Sequence, residues 1–199
     1  MDTTTAAPGL RARKRQETRQ NIIDAGLRLF VRDGYEQTTV EAIAAAAGIS
    51  RRSFFHYFKS KEDILLARHD GGFLAALAPA MRALPAGQGP LDAARDRLID
   101  LAARYEHREA MVIHDLMRST EALRIRKAAL FVEIEAVLAD VMVELWPGEP
   151  PQRLRVAAMM AAGALRLSLD SWREAAGETA LAEHLRRTFA LLREQAQQG

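Results

Sequence analysis

At 199 residues, with 49% hydrophobic and 27% charged side chains, the chain has the composition of a globular protein of one or two domains. It contains no cysteine, which excludes disulfides, thiolate zinc sites and a cysteine nucleophile. The net charge of +2 hides an uneven split: residues 1–61 hold eleven basic against six acidic side chains, the remainder seventeen against twenty. A basic end on a mildly acidic body is the electrostatic footprint of a nucleic-acid-binding head. The N-terminus lacks the apolar core of a signal peptide, and no apolar run reaches the ~18 residues a membrane span needs. The expectation is a cytoplasmic protein.

Residues 1–10 are small residues, Pro and Gly without period, and are expected to form a disordered tail. The basic run Arg11-Ala12-Arg13-Lys14-Arg15 then reads either as the start of a helix or as an arm that touches phosphate. The first helix is predicted from about Gln16 to Asp33, with Ile22, Ile23, Leu27 and Phe30 inward and Gly34 ending it. Tyr35 should pack beneath the head.

The segment Thr38–Lys61 carries the densest signals. Val40, Ile43, Ala44 and Ala47 fall at i, i+3, i+4 and i+7, one apolar face of a short helix. Thr38 with Glu41 three residues later reads as a capping box. Gly48 should stop this helix, where φ > 0 is wanted, and Ser50 should cap a second one from Arg51. Two short helices over a tight Gly turn define a helix-turn-helix. In the second, Phe54 and Phe58 pair inward, which leaves Arg51, Arg52, Phe55 and His56 outward with Tyr57 at the margin. An exposed Phe beside paired arginines suits a major groove, where Arg reads guanine and an apolar ring meets a thymine methyl.

Thr38-Thr39-Val40, Ile43-Ala44, Ala47-Gly48-Ile49-Ser50, Phe55-His56-Tyr57-Phe58 and Ser60-Lys61-Glu62-Asp63 together resemble the DNA-binding domain of the TetR family of bacterial transcriptional regulators. The resemblance covers about a quarter of the chain. It implies a DNA-contacting set of Thr39, Arg51, Arg52, Ser53, Phe55, His56, Tyr57 and Lys61. Lys61 is assigned to phosphate because the matching family residue contacts the DNA backbone. A cation at a helix N-terminus opposes the macrodipole until an anion arrives.

Beyond Lys61 a fourth helix is predicted to continue through Ile64, Leu65, Phe73, Leu77 and Met81 to about Leu84, with Gly71-Gly72 read either as close helix packing or a local break, or as a compliant point between head and body. Pro85–Pro90 is a clear break. Helical patterns follow near 91–105, 108–118 and 121–146, a second break at Pro147–Pro151, then two long helices divided by Gly177. The fold class is all-α: a three-helix head (residues 1–61) joined by helix 4 to a body (62–199), about nine helices in total.

On the last two helices Leu165, Leu169, Trp172, Leu181, Leu185, Phe189 and Leu192 form apolar stripes. These are either body core or, as the resemblance implies, the face of a homodimer. A dimer would read a pseudo-palindromic operator in double-stranded DNA. The resemblance further implies a small-molecule effector in the body. Candidate lining residues are Phe73, Leu77, Met81, Met111, His114, Met117, Phe131, Met159 and Met160. An apolar pocket favours a lipophilic ligand, and the pattern is similar to a branch that senses acyl-CoA-like molecules. The five His are dispersed, and no metal-ligand spacing, nucleophile elbow or phosphate loop is present. No catalytic residue, metal or cofactor is expected. The leading reading is a ligand-released repressor. The other is a DNA-binding interaction protein whose body only dimerises or docks a partner.

Overall fold

The apolar periodicity of the chain resolves, in a computed structural model, into ten α-helices and no strand among the described residues, which are 8–70, 72–83, 87–105 and 108–198. The chain divides into two compact units, Met1–Arg68 and His69–Gly199. The first takes in Glu62–Arg68 as well as the residues 1–61 expected for it.

The head contains α1 (Pro8–Asp33), α2 (Val40–Ala46), α3 (Arg51–Phe55) and α4 (Glu62–Asp70). Ile22, Ile23, Leu27 and Phe30 of α1 are buried as predicted, with Ile43, Phe54, Phe58, Ile64 and Leu65 from the other elements and Tyr35 beneath. Gly26 of α1 sits where Ile64 leaves no room: a Cβ there would lie 2.9 Å from the Ile64 Cδ1. Two expectations are corrected here. The basic run is part of α1, which opens at Pro8 rather than Gln16; proline is well tolerated in a helix's first turn. Of the tail expected over 1–10, residues 8–10 are therefore helical, and 1–7 lie outside the described residues.

The second unit contains α5 (Phe73–Arg82), α6 (Pro90–Tyr105), α7 (Arg108–Ser119), α8 (Glu121–Leu145), α9 (Pro151–Glu174) and α10 (Leu181–Gln198). The fourth helix, expected to continue to about Leu84, is divided, and of the readings open at Gly71-Gly72 the local break is the one observed. The chain breaks at Gly72, whose φ of 89° is left-handed and caps α5, a conformation that costs glycine no steric penalty. This break supplies the tenth helix; Gly71 itself lies outside the described residues.

The body core is one cluster. Leu77 and Met81 of α5, Leu98 and Leu101 of α6, Ile134 and Leu138 of α8, and the inner faces of α9 and α10 meet in it. The α8 helix packs on α9, α5 and α7, and α10 on α6 and α9. Trp146 Nε1 donates to the Gln88 carbonyl at 3.1 Å, pinning one loop to another. The stripe expected as a dimer face belongs to this core: Leu165, Leu169, Trp172, Leu181, Leu185 and Phe189 are all buried within their own chain, and Leu192 is half-buried against them. Six of the seven are thus packed within their own chain, and only Leu192 keeps partial exposure.

Candidate nucleic-acid interface

The capping residue of α2 is Thr39, not Thr38. Thr39 Oγ1 accepts from the Ala42 amide at 3.1 Å, while Thr38 is buried and donates its hydroxyl to the Gly34 carbonyl at 2.7 Å. Moving the cap by one residue takes Glu41 out of capping-box register. Its carboxylate instead meets Arg51 Nε at 2.9 Å. At the far end of α2 the Gly48 amide donates to Ala45 and the Ile49 amide to Ala44, with Gly48 at φ 69°. That paired pattern is a Schellman turn, which needs the left-handed residue. Ser50 then caps α3 through the Ser53 amide at 3.1 Å. Turn chemistry alone thus fixes the angle at which α3 leaves α2.

The two faces of α3 separate as the sequence predicts. Phe54 and Phe58 are buried, their ring centroids 5.9 Å apart. Arg51, Arg52 and His56 are exposed, and Phe55 is 46% exposed. Arg51 is already engaged, lying over the Phe55 ring at 5.6 Å as well as against Glu41. Arg52 has no such anchor among the described residues and is exposed.

The sequence reading offered the basic run Arg11–Arg15 as a phosphate-touching arm but did not foresee that Arg15 shares a cleft with the helix-turn-helix. Arg15 and Thr18 line a 560 Å³ cleft together with Ile49, Ser53, His56 and Tyr57. The Arg15 guanidinium, the Ser53 and Tyr57 hydroxyls and the His56 imidazole around one cleft are donors suited to phosphate oxygens, while the Thr18 hydroxyl donates to the Lys14 carbonyl at 2.9 Å. Recognising Pro8 as a helix start would have revealed it, since the basic run then lies on α1 rather than on a loose arm.

Lys61 has a different placement from a free surface cation. Its ammonium donates to the carbonyls of Tyr35 (2.7 Å), Thr38 (3.1 Å) and Glu36 (3.3 Å) and lies 4.3 Å from the centre of the Tyr35 ring. All three of its protons are therefore used on the loop before α2. Beside it, Tyr35 Oη donates to Glu62 at 2.6 Å. Burial opposes ionisation of Glu62, but the Tyr35 and Ser60 hydroxyls and the Lys61 charge together hold its carboxyl below the usual range. Lys61→Met is expected to cost head stability by about 1–3 kcal/mol through orphaned carbonyls. It should leave the salt dependence of DNA binding unchanged. A direct phosphate contact would instead lower the slope of log K against log salt by about 0.9. Melting curves and a salt titration of the same variant separate the two.

In the body, Leu77, Met81 and Phe131 of the ligand-lining candidates meet in the main cluster, and Phe73 packs against it. Met117 is fully buried outside that cluster, Met160 is half-buried, and Met159 is exposed on the outer side of α9. Met111 and His114 are on α7, with side chains outside the described ones. His184 is buried between Ser171 Oγ (2.9 Å from Nδ1) and Thr179 Oγ1 (2.8 Å from Nε2). With a hydroxyl rather than a carboxylate on each nitrogen it ties α9 to α10 and is no proton relay. Among the described residues, no group of three His, Asp or Glu could hold a metal, and no helix is long and apolar enough to cross a membrane.

A helix-turn-helix with a polar, partly aromatic outward helix, carried by an all-helical body, defines a DNA-binding transcriptional regulator. Residues 22–67 match the model for bacterial regulatory proteins of the tetR family. The transcriptional regulator TcmR of Streptomyces glaucescens is 46% identical over 93 residues, 45% of this chain but only 39% of that relative. The transcriptional repressor Rv1474c of Mycobacterium tuberculosis is 29% identical over 184 residues, 80% of this chain and 96% of its own. Among solved structures, the TetR-family repressor FadR of Thermus thermophilus, in complex with lauroyl-CoA, aligns with a TM-score of 0.61 at 27% identity. That alignment covers 87% of this chain and 92% of the other. Residues 22–67 therefore match a TetR-type DNA-binding domain, and the relatives that the chain resembles along most of its length are transcriptional repressors rather than enzymes.

Proposed function

We propose that the protein is a homodimeric repressor that leaves a pseudo-palindromic operator when its body binds a lipophilic small molecule. The observation that carries the DNA half is α3: its inner face is closed by Phe54 and Phe58, and its outer face presents Arg52, Phe55 and His56 to solvent. Arg52→Ala is expected to cost ~1–3 kcal/mol of operator affinity and to relax specificity at one base pair. Arg51→Ala should cost less, because Arg51 must first leave Glu41. Binding isotherms on the operator and on single-base variants test this; unchanged discrimination in both variants would remove α3 as the reader.

For the dimer, α9 has a second apolar stripe on its outer side. Val156, Met160, Gly163 and Leu167 follow at i, i+4, i+7 and i+11, with Val156 and Leu167 exposed. A Cβ at Gly163 would meet nothing within 4 Å, so a second helix has room to approach. Leu191 on α10 is exposed as well. Two heads spaced about 34–36 Å apart would meet successive major grooves.

The effector half is supported by the apolar, methionine-containing body and by the lauroyl-CoA held by the Thermus FadR. A coupling of ~1–3 kcal/mol would weaken operator binding about 5–150-fold on ligand addition. Native mass spectrometry of the purified protein, followed by operator titration with whatever is released, tests it. A second reading keeps the body as a docking module, because Ile125, Val132 and Val143 expose apolar surface along α8.

A further inference from the structure

Where α7, α8 and α9 meet, the body gathers more positive charge than it neutralises. Lys127 of α8 is only 8% exposed. Its ammonium, with three protons to donate, reaches one acceptor among the described residues, Asp170 Oδ1 on α9, at 3.4 Å. Arg118 of α7 uses that same oxygen, also at 3.4 Å. One turn along α9, the Arg173 Nε is buried and, among the described residues, has no hydrogen-bond partner, while its guanidinium meets the largely exposed Glu174 at 3.4 Å. Burial pushes the Lys127 pKa down, Asp170 pulls it back, and Arg118 and Arg173 push it down further. Among the described residues, three cations thus face two carboxylates, one of them at the rim, through contacts at the long edge of hydrogen-bond range.

A fold selected for stability alone would not keep this arrangement. Buried charges are normally paired and fully hydrogen-bonded, and an apolar residue at such a position is often the more stable choice. The neighbours of Lys127 on its own helix face, Leu123, Leu130 and Phe131, are all buried apolar side chains. Among the described residues one positive charge is left over, and one monoanion would balance it.

We infer that Arg118, Lys127 and Arg173 form the polar end of an effector site, which takes the carboxylate or phosphate head of a ligand whose apolar tail lies among the body helices. This rests on the reading of the body as a sensor. Asp170 holds the two cations of α7 and α8 in place while the site is empty, and the anion supplies the acceptors they lack.

The test is calorimetric titration of the full chain with dodecanoate, dodecyl phosphate and dodecanol, for wild type, Lys127→Met and Arg118→Gln. Wild type should bind at least one of the anions more tightly than the alcohol, and which anion wins distinguishes carboxylate from phosphate. Both variants should lose roughly tenfold or more in affinity for that anion, with dodecanol binding unchanged. Without ligand, Lys127→Met should melt no lower than wild type, because it removes an under-paired buried charge. An unchanged anion-to-alcohol ratio in both variants would overturn the inference and leave the sensor reading intact. So would a Lys127→Met protein that melts well below wild type or fails to fold, since Lys127 would then be a structural ion pair. If none of the three probes binds wild type, the inference and the reading beneath it fall together.

Discussion

Leu185→Asp is expected to destroy the folded body rather than to release a folded monomer. Leu185 is fully buried on α10, in one cluster with Leu165, Leu169, Trp172 and Phe189. A carboxylate there would have no partner. Leaving a charge buried and unpaired costs roughly 3–5 kcal/mol, and the lost apolar burial adds about 1.5–3 kcal/mol. Against a total stability of about 5–15 kcal/mol, that is most of what holds the unit together. Leu167→Glu is the contrasting substitution: the side chain is 52% exposed on the outer stripe of α9. It should change single-chain stability by no more than about 0.5 kcal/mol while shifting the sedimentation coefficient from dimer to monomer. Circular dichroism melts and sedimentation velocity on both proteins decide the matter. A well-folded Leu185→Asp monomer would return the interface to the inner stripe. A Leu167→Glu dimer would remove it from the outer one.

The error behind that correction shows where sequence stops being informative. The α9 helix is apolar on two sides: Leu154, Ala158, Ala161, Leu165, Leu169 and Trp172 on one, Val156, Met160, Gly163 and Leu167 on the other. Periodicity identifies both stripes but not which one meets α6, α8 and α10, because that depends on partners distant in sequence. The head was legible for the opposite reason. Its turn chemistry is local: Gly48, Ser50 and the Phe54–Phe58 spacing act within a few residues of themselves. The cap of α2 was misplaced by one because Thr38 and Thr39 are equally good caps on paper. Only the Gly34 carbonyl, four residues back, claims Thr38. Lys61 was assigned to phosphate from the family resemblance, and its carbonyl partners, 23 to 26 residues upstream, could not be read from its local sequence. The cation cluster of α7, α8 and α9 was invisible for the same reason, with Arg118 and Lys127 some 43 to 52 residues from Asp170. At Gly71-Gly72 the sequence marked a weak point, and only the φ of Gly72 resolves it into a break.

Adjacent phenylalanines on α3 offer a sharper test of the division between scaffold and reader. Phe54 is fully buried, in T-shaped contact with Phe55 at 5.5 Å and tilted against Phe58. Phe54→Ala removes a core ring and leaves a cavity, which costs about 3–5 kcal/mol, so the head should melt far below wild type and lose all operator binding. Phe55 is nearly half exposed, and its removal forfeits mainly the Arg51 contact over its ring, worth about 0.5–1 kcal/mol at an exposed site. The melting temperature should therefore hardly move. If its exposed half is buried against DNA, as an apolar ring against a thymine methyl would be, then Phe55→Ala should weaken operator binding by about 1 kcal/mol, roughly fivefold. Thermal melts and fluorescence anisotropy on the two variants read both quantities. A Phe55→Ala protein as unstable as Phe54→Ala would make the outer ring part of the scaffold. One that is stable and binds operator as wild type does would place the DNA contact elsewhere on the head, with the Arg15–Tyr57 cleft the next surface to mutate.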